Sequence, residues 1–469
     1  MRKQLLTLVF GLLLCNSLAA ICSAQRLSDF VKLDPKKPDP YLGTYQLASG
    51  DLIVISRSLY RLWYHEPRTG RIRALNPISE NTWVGGPSLL VYSPAEFQIT
   101  FTRNKKGEVP SLILKQARAP DQLAKKASFY REELVSFRNG DATLAGSLLI
   151  PATKGPHPAV IFIHGSGAQN RNGFDGILRR PADHFARNGI AVLIYDKRGT
   201  GQSIGNWETE SFDDLAGDAL AALQFLQSRQ DISPKQIGLW GISQAGWIMP
   251  KVAARSKDIA FIISVSGAGT GVTVGQQEMF DLQNDLRAAG FSPEEINEWL
   301  KVWHLFFEYV RAGEGADRKQ LDALIQKLGQ NKKLTDALRK SWLVDLQTPV
   351  DWKSHNQEVF RYPPDFDPVP LWEQYNGPVL GIFGGMDSLT PVQQVLPNFT
   401  KALMTRTNSD STVVVLPKGN HTLLESENVN DRESAKLKRY VPGYFDTMTD
   451  WLQKRLFHRA QQIVAGEPR

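Results

Sequence analysis

Cysteine is almost missing from this chain. Only two occur in 469 residues, Cys15 and Cys22, and both fall within the first 24 positions. Everything beyond lacks a thiol, which excludes disulfides, a cysteine nucleophile and thiolate metal sites from the bulk of the protein. Long hydrophobic runs are scarce as well. The mostly apolar stretch Leu5–Leu14 is too short for a membrane-spanning helix. No lysine or arginine run is long enough to suggest a nucleic-acid partner. The formal charge of +7 falls by two, to +5, once Arg2 and Lys3 are set aside, which describes a mildly basic, soluble surface.

What is present begins with a targeting signal. Arg2 and Lys3 supply a charged start, Leu5–Leu14 an apolar middle, and Cys22-Ser23-Ala24 small residues before a cut at Gln25. Residues 1–24 are therefore expected to be a cleavable signal peptide, sending the chain to the periplasm or outside the cell. Lipid attachment at Cys22 is the rival, against which stands the bulk of Ile21. An exported chain without disulfides must stabilise itself by burial, and 42% hydrophobic residues suffice for that.

Residues 25–40 read as an extended, proline-punctuated lead-in. Residues 41–116 are β in pattern, with short runs at 51–56, 58–64, 71–75, 88–92, 97–102 and 111–114 separated by glycine-bearing turns. They predict a small antiparallel sandwich or barrel that either shapes the entrance to a site or serves as a stabilising appendage. Residues 117–130 read as a linker.

A second regime follows. A leading hairpin (132–137, 142–150) precedes apolar runs at 159–164, 190–195, 237–240, 259–266, 378–383 and 412–416, with amphipathic helices interspersed. Near-continuous apolar strands alternating with helices predict a doubly wound, mostly parallel sheet, formed by 131–268 and 377–469. Between them, 269–376 is helical and charged, too long for a loop, and reads as a cap. Trp299, Trp303, Phe306, Phe307 and Val310 share one helical face there, suited either to lining an acyl pocket or to packing the cap onto the sheet.

Chemistry concentrates at Ile237–Gly246. A short strand, Gly241, Ser243 and a helical run make a strand–turn–helix with serine at its apex, which thrusts the hydroxyl clear of the backbone. Glycine is expected two residues after the serine; Ala245 stands there, with Gly246 next. A serine hydroxyl needs a base, and the base an acid to fix its tautomer. His421 follows one apolar strand and Asp387 another, in the order serine, acid, histidine. His458 falls in a C-terminal helix and reads as surface; His164 precedes the serine and reads as structural, as does Asp196. Acyl transfer also requires oxyanion donors. The N–H of Ser166, in His164-Gly-Ser-Gly167, and that of Gln244 are the natural pair.

Together, Gly241-Ile-Ser-Gln-Ala-Gly, His164-Gly-Ser-Gly, Asp196-Lys-Arg-Gly-Thr-Gly-Gln-Ser, Gly384-Gly-Met-Asp and Gly419-Asn-His resemble the α/β-hydrolase superfamily. The resemblance is to secreted bacterial carboxylesterases related to dienelactone hydrolases and to the serine aminopeptidase and prolyl oligopeptidase-like branch, over about residues 132–459. It implies Ser243 as nucleophile, Asp387 as acid, His421 as base, and Ser166 and Gln244 as oxyanion donors, with no metal or organic cofactor and a small-molecule ester as substrate. The missing His-Gly-Gly-Pro stretch departs from the peptidase pattern. A peptidase on the same machinery would need amine-recognising carboxylates such as Glu294, Glu295 or Glu308, which otherwise read as solvated surface. A non-catalytic binding protein on the same fold is the remaining alternative.

Overall fold

The computed structural model describes residues 40–58, 61–313, 317–330, 362–407, 410–429 and 431–457. The expected signal peptide, nearly all of the lead-in, much of the cap and His458 lie outside these residues.

Eight antiparallel strands come first: β1 (Gly43–Leu47), β2 (Leu52–Ser58), β3 (Arg61–Glu66), β4 (Arg71–Pro77), β5 (Thr82–Gly85), β6 (Phe97–Thr102), β7 (Ser111–Gln116) and β8 (Gln122–Ala127). Each pairs with the next, and β8 pairs back onto β1, closing a barrel. Alternation fills it: Ile53 and Ile55, Leu62 and Tyr64, Phe97 and Ile99, and Leu112 and Leu114 point inward. Two expectations are corrected. The supposed linker 117–130 contains β8, whose polar sequence hides its role because only Ala124 is fully buried. Residues 88–92 form no strand. They lie between Pro87 and Pro94, and the Leu89 N–H bonds instead to the Leu437 carbonyl at 2.7 Å.

The second unit is an eight-stranded sheet in the order β16-β15-β14-β13-β11-β12-β10-β9. Its strands are β9 (Tyr130–Asn139), β10 (Ala142–Pro151), β11 (His157–Ile163), β12 (Ala191–Tyr195), β13 (Ile232–Ile242), β14 (Ile262–Val265), β15 (Val379–Gly384) and β16 (Ser411–Leu416). The β9–β10 hairpin and the β10–β12 pair are antiparallel; the other pairs are parallel. Apolar residues face both ways, so both faces are covered. Phe185 and Ala186 of α1 (Arg179–Arg187) join one core with Phe445, Met448 and Leu452 of α9 (Tyr444–Leu456). On the other face lie α2 (Phe212–Gln227), α3 (Ala245–Arg255) and α8 (Val392–Thr405), contributing Leu215, Ile248 and Phe399. The short α7 (Val369–Gln374) leads back into β15.

The described cap comprises α4 (Val274–Ala288), α5 (Pro293–Ala312) and α6 (Lys319–Gly329). Trp299, Trp303, Phe306 and Phe307 of α5 pack with Leu282 and Leu286 of α4 and Leu321 of α6, giving the cap a core of its own. That packing, rather than an acyl pocket, accounts for the aromatic face; the side chain of Val310 lies outside the described residues.

The barrel is bound to the sheet domain. Outward-facing Trp63, Ile72 and Ala74 join the core of Leu178, Tyr440 and Phe445. The N–H of Ile72 donates to the Lys438 carbonyl and that of Tyr440 to Gly70. Buried Arg73 donates to the carbonyls of Gly86 and Lys438. The strap 435–440 also braces the His421 loop: the Val441 N–H donates to Leu423, and that of Glu425 to Arg439.

Candidate active site

Strand β13 ends in Ile242, and Ser243 adopts φ 57°, a left-handed conformation that costs a non-glycine residue roughly 1–3 kcal/mol. The strain is held from both sides. The Ser243 N–H donates to the Val265 carbonyl at 3.0 Å, and its own carbonyl accepts from Gly246 at 2.9 Å. The shifted glycine now has a reason. A methyl at Gly241 would sit 2.4 Å from the Ala245 Cβ, so Ala245 is accommodated by Gly241. Gly246 lies against the Gly267–Gly269 backbone, where an added methyl would come within 3.0 Å. The helix α3 starts at once, at Ala245.

Asp387 and His421 come from loops after neighbouring strands, β15 and β16. His421 Nδ1 is 3.1 Å from each carboxylate oxygen of Asp387, and both residues are buried. The carboxylate also accepts the N–H groups of Leu389 and Thr390, both at 2.8 Å. A carboxylate only accepts, so His421 Nδ1–H is the donor in this pair. Thr390 closes the set: its hydroxyl donates to Ser266 at 3.0 Å and lies 3.3 Å from His421 Nδ1. The two loops touch directly. Met386 N–H donates to the Gly419 carbonyl at 2.8 Å, and a methyl at Gly384 would fall 2.2 Å from that oxygen.

The segment Gly165–Gly167 passes over the serine. A methyl at Gly165 would lie 3.5 Å from the Ser243 Cβ. Ser166 is exposed there, and Gln244, next to the serine in the chain, is buried. His164, just before this segment, is buried. Burial, reinforced by the nearby Lys197 charge, holds its pKa down at about 3, and its Nε2–H donates to the Tyr195 carbonyl at 2.7 Å. Asp196 is structural as expected, since it binds the Arg171 guanidinium at 2.6 Å and the Gln202 N–H at 2.9 Å.

The cap contributes residues that sequence reasoning missed. From α4, Gln277 donates to the Leu389 carbonyl at 2.5 Å and Asn284 to that of Ser388 at 2.7 Å. Both carbonyls immediately follow Asp387. Between them on the same helix, Asp281 accepts from Gln277 at 2.9 Å. Burial and neighbouring Glu278 hold its carboxyl well above the usual range, while the proximity of His421 acts in the opposite sense. The available signal was helical spacing: 277, 281 and 284 share one face of a helix opened by the Thr273 capping box. By contrast, Glu294, Glu295 and Glu308 are exposed.

Residues 139–365 match a protein-family model described as X-Pro dipeptidyl-peptidase (S15 family). An esterase, EstD of Thermotoga maritima, is 30% identical over 177 residues, covering 36% of this chain and 41% of that protein. A thiohydrolase, aneE of Aspergillus aculeatus, is 33% identical over 123 residues, or 26% of this chain and 37% of that one. The chain thus spans about two-fifths of the length of these curated relatives. Among solved structures, an α/β-hydrolase, GrgF of Penicillium, covers 70% of this chain and 99% of its own at 19% identity, with a TM-score of 0.43. The fold is better read from the chain itself: a parallel sheet led by an antiparallel hairpin, a serine elbow after its central strand, and acid and histidine loops after its last two strands. By that topology the chain has an α/β-hydrolase fold fronted by a closed β-barrel, and within it residues 139–365 are similar to the S15 family.

Proposed function

We propose that the protein is a serine hydrolase that cleaves carboxylic esters of small molecules through an acyl-enzyme on Ser243. His421 takes the serine proton as the hydroxyl attacks the ester carbonyl, and Asp387 stabilises the imidazolium. The N–H groups of Ser166 and Gln244 receive the oxyanion. The alcohol leaves with the proton from His421, and water, activated by the same histidine, releases the acid. The observation that carries this reading is the His421–Asp387 pair at 3.1 Å, on the loops after β15 and β16 of the sheet whose strand β13 leads into Ser243, a serine held at φ 57°. Similarity to an esterase supports it. The charged and apolar pattern of residues 1–24 adds export to the proposal.

The test is turnover of nitrophenyl esters of increasing acyl length by the chain from Gln25 onward, beside Ser243→Ala. Loss of activity by about 10⁴-fold or more in the variant is expected. Full activity in Ser243→Ala would refute the assignment. A peptidase is the second reading, favoured by the description of the matched family. Preference for aminoacyl nitroanilides over esters would select it, with Glu278 and Asp281 as the carboxylates to examine first.

A further inference from the structure

We propose that Lys197 is a positioning residue that aims both oxyanion donors at the Ser243 site, an inference that rests on the serine-hydrolase reading. Lys197 occupies the turn after β12 that the sequence marks only as structural. It is 1% exposed. Its ammonium lies 3.3 Å from the Gly165 carbonyl, 3.2 Å from that of Gly167, 3.2 Å from Gln244 Oε1 and 2.9 Å from Glu210 Oε1.

An ammonium is buried at high cost unless it is paired and hydrogen-bonded. Glu210, equally buried, supplies the pairing. The other three contacts do something different, because every acceptor belongs to a segment that carries an oxyanion N–H. In a trans peptide the C=O of one residue and the N–H of the next point in opposite directions across one plane. Holding the Gly165 carbonyl on Lys197 therefore turns the Ser166 N–H away from Lys197. Glycine peptides are the ones most free to flip, and Gly167 sits at φ 78°. Gln169 adds to the restraint by donating to the Ser166 carbonyl at 2.7 Å, while its own carbonyl accepts the Lys197 N–H at 3.1 Å. On the other side, the same ammonium fixes the Gln244 side chain at the start of α3. One charge in the turn after β12 thus ties the two donor segments to a common point.

The test compares wild type with Lys197→Met/Glu210→Gln, a pair chosen so that no buried charge is orphaned. The substrate is a nitrophenyl ester whose turnover is abolished by Ser243→Ala. Active sites are counted by fluorophosphonate labelling carried to completion, and affinity for an aryl trifluoromethyl ketone, which forms a tetrahedral adduct, is measured alongside. The expected result is a kcat per labelled site lower by about 10²-fold, KM within about twofold, and ketone affinity reduced in parallel. A merely structural role would lower the labelled fraction and leave kcat per site unchanged, and that outcome overturns the proposal. So does a fall in kcat with ketone affinity intact. If the double variant does not fold, Gln244→Met removes one tether and keeps the backbone donor. It should lose about tenfold in kcat at constant KM, and wild-type values would overturn the proposal. Turnover that survives Ser243→Ala sinks the hydrolase reading itself, a result distinct from Ser243-dependent turnover that ignores Lys197.

Discussion

Replacing Gly384 with alanine should uncouple the acid from the histidine without touching either. Gly384 ends β15, three residues before Asp387. A methyl there would lie 2.2 Å from the Gly419 carbonyl oxygen and 2.5 Å from that of Asn420, where 3.0 Å is already closer than Cβ atoms approach. Both obstructions are backbone, so no rotamer change relieves them. The β15 and β16 loops must part by roughly 1 Å, and a displacement of that size can cost about 10²-fold in rate. The His421–Asp387 contacts of 3.1 Å would stretch towards about 4 Å, beyond a hydrogen bond. Overpacking of this kind costs about 1–3 kcal/mol, leaving a domain of this size folded.

The assay is kcat/KM on an ester substrate together with the thermal midpoint, for Gly384→Ala and for Gly381→Ala as control. Gly381 lies on the same strand, but its methyl would meet the Phe399 and Phe383 rings at 2.8 and 3.2 Å instead of the histidine loop. The control should lose stability and keep its activity, whereas Gly384→Ala should lose about 10²-fold in kcat/KM. A folded Gly384→Ala enzyme with wild-type kcat/KM would refute the idea that contact between these loops sets the pair.

Acid should destabilise the fold before its carboxylates titrate. Burial is the leading cause that holds His164 and His184 at a pKa of about 3. The unfolded chain therefore binds protons below about pH 6.5 that the native state refuses, so stability is complete above that value and falls as pH drops. Between pH 6.5 and 5 the loss is about 2 kcal/mol per histidine, measurable by urea unfolding; a flat profile would contradict the buried neutral assignment. Asp281 acts in the opposite direction, because its raised pKa favours the native state as pH falls, so Asp281→Asn should steepen the loss. Removing the cap's grip on the acid loop with Gln277→Leu/Asn284→Leu should lower kcat/KM by up to about 30-fold through two lost hydrogen bonds of about 1 kcal/mol each. An unchanged rate would show that the acid loop stands alone. Arg73→Met strips donors from the Gly86 and Lys438 carbonyls and should cost about 3 kcal/mol. Because the strap it holds braces the His421 loop, activity should vanish at lower urea than the circular-dichroism signal, and coincident curves would sever that link.

The residues proposed to react were legible because each declares itself locally. An apolar run, a glycine turn and then Ser243, Asp387 or His421 is a pattern contained within about ten residues. The parallel sheet was legible for the same reason, since its strands are buried on both faces and need no alternation. What escaped depends on partners distant in sequence. Gln122–Ala127 becomes a strand because β1 needs a neighbour to close the barrel, and no property of Gln-Leu-Ala-Lys-Lys-Ala announces that. The aromatic face of α5 suits an acyl pocket as well as a core until Leu282 and Leu321 are found against it. Lys197, in a turn that reads only as structural, shows its partners when Glu210, the Gly165 carbonyl and the Gln244 side chain are seen around it. Groups that carry out a reaction must sit where a strand ends, and sequence marks strand ends well. Groups that hold them in place are chosen by three-dimensional neighbourhood, so they look ordinary in the chain. For this protein the cap helix, the barrel strap and the buried lysine are all of that second kind, which makes substitutions there, more than at Ser243, the ones that test whether the structure has been understood.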